Sequence, residues 1–220
     1  MHATGQVAHG DVPTELWATY ESSLLRRMAG VLPGDVRLRA VGPASGGFDF
    51  DARFSALSRR YEYRISDMPW GVDPLRRHQI APSAGTLDVD ALRQAARGLL
   101  GEHDFAAYCR HREGAGTVRN LLRLDWDRQS DGVVVATAEA DAFCHSMVRS
   151  LVGALVDVGT GRRDPDWPAA VLAAGVRDSR VAVAPAHGLV LVSVRYPDAA
   201  QLGLRSAQTR RRRASPTIGP

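Results

Sequence analysis

The sequence predicts an α+β fold, and three observations carry that reading. Apolar stripes of helical period alternate with strand-period hairpin patterns, no internal repeat of fixed period is visible, and the make-up is that of an ordinary globular domain. Hydrophobic residues are 45% and charged residues 24% of 220, which excludes a disordered chain or a fibrous repeat and allows a sizeable core.

Thr14 to Met28 is predicted as a helix. Pro13 and Thr14 suit its start, Trp17, Tyr20, Leu24 and Met28 share a stripe, and Arg26 and Arg27 precede Gly30 at its end. Val36, Leu38 and Ala40 alternate with Arg37 and Arg39, the pattern of a strand with one solvated face. After a Gly46-Gly47 loop, residues 60–65 form a second strand with Tyr61, Tyr63 and Ile65 on one face and Arg60, Glu62 and Arg64 on the other. Residues 67 to 86, punctuated by prolines and glycines, join two halves.

In the second half Asp88 caps a helix with Leu92, Ala95, Ala96, Leu99 and Leu100 on its apolar stripe, and Gly101 is placed to end it in a left-handed cap. Leu122, Leu124 and Trp126 alternate with acids and Arg123. Asp131-Gly132 then leads into residues 133–140, an antiparallel hairpin. A long helix follows with Met147, Leu151, Ala154, Leu155 and Val158 as its core stripe, then a shorter helix near residues 167–174 and a strand near 189–196.

The formal charge is +4, but residues 201 to 220 hold five arginines and no acid; without them the body carries −1. Net charge therefore says little about function, and nucleic-acid binding has to be argued from where arginines cluster. All 28 basic residues are arginine, each a permanent planar fork able to grip phosphate. No apolar run approaches the roughly 18 residues of a membrane helix, and the opening residues lack a secretory pattern, so a cytoplasmic address is expected. Cys109 and Cys144 are too few for a disulfide scaffold or a cysteine-rich zinc site and read as buried thiols. His9 with Asp11, His103 with Asp104, and His111 do not have metal-ligand spacing, and no hydrolase elbow or phosphate loop is present.

Three segments carry more information together. They are residues 2–9 (His-Ala-Thr-Gly-Gln-Val-Ala-His), Phe50-Asp51-Ala52-Arg53-Phe54 running into Ser58-Arg59-Arg60-Tyr61-Glu62-Tyr63, and Phe143-Cys144-His145-Ser146-Met147-Val148-Arg149 with Val152-Gly153. In this order they resemble the bacterial TruA family of tRNA pseudouridine synthases, as do residues 101–105 and 117–119, so the resemblance covers roughly residues 1 to 198. It implies isomerisation of uridine to pseudouridine at positions 38 to 40 of the tRNA anticodon arm, without cofactor or metal, by a homodimer. It also implies two ferredoxin-like α+β halves flanking a basic cleft: residues 1–80 as the remainder of the first, 81–200 as the second, and 201–220 as a disordered basic tail.

The family's reaction uses an aspartate nucleophile on a base taken out of its stack. By resemblance Tyr61 stacks on the uracil and assists proton removal, and Arg149 pairs with the aspartate and holds it ionised. Arg53, Arg59 and Arg60, followed by Arg110, Arg112 and Arg119, are the candidate RNA contacts. The chain departs from the family at one place: Met1 occupies the Val position of the motif Gly-Arg-Thr-Asp-Ala-Gly-Val-His-Ala, so the nucleophile belongs three residues earlier. A misplaced start is the expectation, with residues 1–220 alone inactive and an uncovered sheet edge or core face. Asp11, Asp49 and Asp51 are not expected to stand in for the nucleophile. The alternative is a non-catalytic binder of structured RNA.

Overall fold

The computed structural model describes residues 1–44 and 50–214, the last four by their backbone alone. In chain order the elements are β1 (His2–Ala3), α1 (Thr14–Tyr20), α2 (Leu24–Val31), β2 (Ser58–Ser66), β3 (Ala81–Pro82), α3 (Val89–Arg97) and β4 (Gly101–Asp104). There follow β5 (Val118–Arg128), β6 (Val134–Ala140), α4 (Met147–Gly159), α5 (Trp167–Ala174), β7 (Leu189–Arg195) and α6 (Leu202–Ala214). The strands form one sheet in the order β1-β7-β2-β6-β5-β4, with β3 beside β2. All pairings along it are antiparallel except those of β1 with β7 and β3 with β2. The fold is thus α+β on a mostly antiparallel sheet, and β2, from the first half of the sequence, is central between β7 and β6.

One face of this sheet is the core. Along β6 every second residue is buried, and Ala136 and Ala138 sit opposite Tyr63 and Tyr61 of β2. Period-two alternation therefore selects the buried face on both strands. Leu92, Ala95 and Ala96 of α3 and Met147, Leu151, Ala154 and Leu155 of α4 cover that face, with Leu151 and Trp126 fully buried. Asp88 caps α3 as expected, its carboxylate accepting the N–H groups of Asp90 and Ala91 at 2.9 and 3.0 Å.

Several expectations are corrected. The helix predicted over 14–28 is broken at residues 21–23 by a tight 3-10 turn, and none of the residues of α1 or α2 is buried. No strand forms over 36–40: among the described residues this segment joins no ladder of the sheet, and its contacts are local or through a side chain, Val36 N–H to the Pro33 carbonyl at 3.0 Å and the Arg39 guanidinium to the Thr4 carbonyl at 3.3 Å. Accordingly Val36 and Leu38 stay exposed, as do Leu16, Leu25 and Val31. The Gly46-Gly47 loop lies outside the described residues.

Gly101 does not cap α3. The helix leaves at Gly98 so that Leu99 can turn fully into the core, and Gly101, at φ 103°, instead opens β4 in a conformation that suits glycine. Leu122 is exposed and Leu121 buried, because the register with β6 shifts between Leu121 and Arg123 and moves the apolar position by one. Cys109 and Cys144 are not separate thiols but are paired as a disulfide, their Cα atoms 5.7 Å apart. Residues 202–214 are helical rather than a disordered tail, since Leu202 and Ser206, one turn apart, dock against the body; residues 215–220 lie outside the described part.

Candidate active site

Residues 4–9, 50–54 and β2 meet at one end of the sheet. The N–H groups of Thr4 and Gly5 both donate to the Leu191 carbonyl of β7, at 2.9 and 3.2 Å. A Cβ on Gly5 would lie 2.1 Å from the Val192 carbonyl oxygen, so only glycine lets this segment lie down on β7. Beyond it, His9 accepts the Ala52 N–H on Nδ1 at 3.3 Å and sets its ring edge-on to Phe50. Tyr196 donates its hydroxyl to the Ala52 carbonyl at 2.7 Å and packs on Phe50 from the other side of the loop.

These contacts enclose a cleft of about 360 Å³ lined by residues 6–9, Ala52, Arg53, Arg59, Tyr61, Leu191 and Val194. Tyr61 is half-buried, its ring edge-on to Phe143 at 5.2 Å. Burial raises its pKa, with the nearby charge of Arg59 opposing, so the phenol keeps its proton at neutral pH. Arg59 donates to the Arg53 carbonyl at 2.6 Å and to the Asp141 carbonyl at 3.4 Å, which ties β2 to the loop that presents the exposed Arg53. Asp51 accepts the N–H groups of Arg53 and Phe54 at 2.7 and 2.9 Å. Burial pushes its carboxyl up, but those N–H groups with Arg210 and His9 outweigh it, leaving the carboxyl below its ordinary value. An aspartate so engaged is a poor nucleophile.

Arg149 lies one pleat away. It is half-buried on α4, its Nε donates to the Ala184 carbonyl at 2.5 Å, and it is close enough to Tyr63 for its charge to act on that phenol. Tyr63 shares the face of Tyr61 two residues on, about 7 Å along the strand. Its hydroxyl donates to the Pro185 carbonyl at 2.8 Å. Arg149 and Tyr63 together hold the segment 184–185, and no acid forms an ion pair with Arg149 among the described residues. A half-buried guanidinium with only a carbonyl partner is chemically poised to accept a carboxylate.

The turn before α4 is strained. Ser146 takes φ 66°, a left-handed conformation unusual for a residue with a side chain, and it is held by the Cys109–Cys144 bond on one side and by Arg110 N–H to the His145 carbonyl at 2.9 Å. This turn aims Phe143 at Tyr61 while α4 carries Arg149.

The structure therefore gathers Tyr61, Arg53 and Arg59 at one cleft and sets Arg149 beside Tyr63 rather than in the cleft lining. Arg60 projects from the other face of β2, and its Nε is buried without a hydrogen-bond partner. Arg119 spends its fork on the carbonyls of Val118 and Gly116, while Arg110 and Arg112 are exposed. Tyr196 and segment 184–185 were not singled out from sequence; His9 and Tyr63 stand in the matched segments but were given no part in the site. A larger groove of about 570 Å³ lies on the opposite sheet face, where Glu62 with Arg64 and Arg76 with Asp131 neutralise one another. Among the described residues no group of three metal-binding side chains comes together, and no helix is long and apolar enough to cross a membrane.

A family model described as tRNA pseudouridine synthase matches residues 95–197. Proteins named tRNA pseudouridine synthase A are similar over nearly the whole chain. The one from Frankia casuarinae is 59% identical over 217 residues, covering 99% of this chain and 77% of its own length. The one from Streptomyces avermitilis is 55% identical, covering all of this chain and 76% of its own length. That of Mycobacterium leprae is 46% identical, covering 98% and 78%. Identity at this level over nearly the whole chain places it in the tRNA pseudouridine synthase A family.

Proposed function

We propose that the chain serves the isomerisation of uridine to pseudouridine in tRNA, at positions 38 to 40 of the anticodon arm, and that residues 1–220 supply the aromatic and cationic side of that site. The observation that carries this reading is the meeting of Tyr61, Arg53 and Arg59 at one cleft in a chain 59% identical to a named tRNA pseudouridine synthase A.

Isomerisation breaks the bond from N1 of uracil to C1′ of the ribose and makes one from C5 to C1′. A proton leaves C5 and one is gained at N1, so nothing is consumed. Tyr61 offers an aromatic face on which an extruded uracil can stack, and its hydroxyl sits where a proton can be exchanged. Arg53 and Arg59 offer two forks to the phosphates flanking the extruded base. Arg149, held by the Ala184 carbonyl, keeps the remaining N–H groups for the nucleophilic carboxylate and lowers that group's pKa so that it attacks as an anion. That carboxylate is the Asp of the family motif, which stands ahead of the segment 2–9.

The finer features expected from the resemblance go with this reading: two ferredoxin-like halves flanking a basic cleft, a homodimer, and a cytoplasmic address. The test is to add a segment ending in Asp-Ala-Gly ahead of Met1, incubate the protein with unmodified tRNA, and map pseudouridine in the anticodon arm by mass spectrometry of the digest. Product at positions 38 to 40 is expected. Tight tRNA binding with no product in the extended protein would instead favour a non-catalytic binder of structured RNA.

A further inference from the structure

Helix α6 carries all five arginines of residues 201–220, and two of them, Arg205 and Arg210, reach inward. Arg205 Nε donates to the Ala56 carbonyl at 3.4 Å. Arg210 forms an ion pair with Asp51, and its guanidinium lies 4.4 Å from the centre of the Phe54 ring. The Asp51 side chain is only 13% exposed, and its other oxygen holds the N–H groups of Arg53 and Phe54. One carboxylate thus joins the helix to the turn that presents Arg53, whose own guanidinium is 5.2 Å from the same ring.

We infer that Arg210 is a positioning residue: by clamping Asp51 and Phe54 it orders residues 50–54 so that Arg53 faces the cleft beside Tyr61. The inference rests on the proposed function for the identity of the ligand, tRNA. A surface ion pair is ordinarily worth little. Here one partner is largely buried and already fixed by two N–H donors, and the cation–π contact acts on the same turn. Holding that turn in place before binding removes an ordering cost that RNA would otherwise have to offset. The competing role for Arg210 is a direct phosphate contact, since its side chain is 58% exposed.

The test measures affinity for an unmodified tRNA transcript across a salt series, using the full chain and its R210A, D51N, R210A/D51N and R210K variants. Asp51→Asn keeps an oxygen for the two N–H groups and removes the charge. Each single variant is expected to weaken binding about tenfold, with the double variant no worse than the weaker single, the salt slope unchanged, and R210K recovering part of the loss. Unchanged affinity in R210A would overturn the proposal. So would a loss that persists in the D51N background with the logarithmic salt slope falling by about 0.7 to 0.9, the mark of a direct phosphate contact.

A second measurement needs no RNA. Amide hydrogen exchange at Arg53 and Phe54 is expected to quicken in both R210A and D51N, and unchanged exchange contradicts the clamp. If the parent chain binds no tRNA, the functional reading fails while exchange still decides the clamp.

Discussion

Tyr61 and Arg149 do their work through different neighbours. Tyr61 is braced by Phe143 and Arg59, whereas Arg149 is braced by Ala184 and Tyr63. Their substitutions should separate accordingly. Tyr61→Phe is expected to keep tRNA affinity, because the ring face survives, and Tyr61→Ala to weaken it by about 1–3 kcal/mol, the scale of one base stacked on an aromatic ring; filter binding at fixed salt checks both. Asp67 gives a residue-scale test of stability. Its carboxylate, 2% exposed, accepts two N–H groups of Arg128 at 2.7 and 2.8 Å and the Leu87 N–H at 2.7 Å. The Arg128 hydrogen bonds lead in holding its pKa below the ordinary value, against the opposing effect of burial. A depressed native pKa means the stabilisation is fully present above the unfolded value, about 4, and is lost as pH falls through the native one. Chemical denaturation between pH 7 and pH 3 should therefore show stability dropping below about pH 4, with a smaller drop in D67N.

At the scale of elements, what was legible in the sequence is what local pattern decides. Strand β2, the β5–β6 hairpin, and helices α3, α4 and α5 follow from periodicity because each presents an apolar face to one shared core. Leu151→Ala, at a fully buried position of α4, is expected to cost about 2–5 kcal/mol in urea unfolding. The misreadings have a common physical origin in partners that lie far along the chain. Residues 36–40 have the alternation of a strand but join no ladder among the described residues, and Leu122 lost its place on the core face to a one-residue register shift at Leu121. Helix α6 looked too polar to fold because its docking partner, Asp51, lies 159 residues away. The motif residues were legible at the site, but which of them share a cleft was not. Alternation already set Tyr61 and Arg60 on opposite faces of β2, but that Arg53 and Arg59 line the cleft with Tyr61 followed only from the packing of distant segments.

For the whole molecule, the body's near-zero charge conceals a local concentration of arginines. Arg53 and Arg59 border the cleft, and Arg210 stands behind Arg53. Arg53→Ala is expected to lower the logarithmic salt slope of tRNA binding by about 0.7 to 0.9, because one phosphate contact is removed. Leu16, Leu25, Val31, Val36 and Leu38 are each exposed, five large apolar side chains within one segment of 23 residues. Residues 1–220 should accordingly associate as concentration rises, a dependence that sedimentation velocity detects.

In the proposed site this chain provides the stacking ring and the carboxylate-holding cation for uridine isomerisation. Release of tritium from C5-labelled uridine in tRNA tests it most directly, because the C5 hydrogen must leave for the new carbon–carbon bond to form. With a segment ending in Asp-Ala-Gly placed ahead of Met1, the protein is expected to release tritium, and its R149A variant to bind the same tRNA and release none. Equal release by R149A, or none by the parent protein although tRNA is bound, would contradict the account.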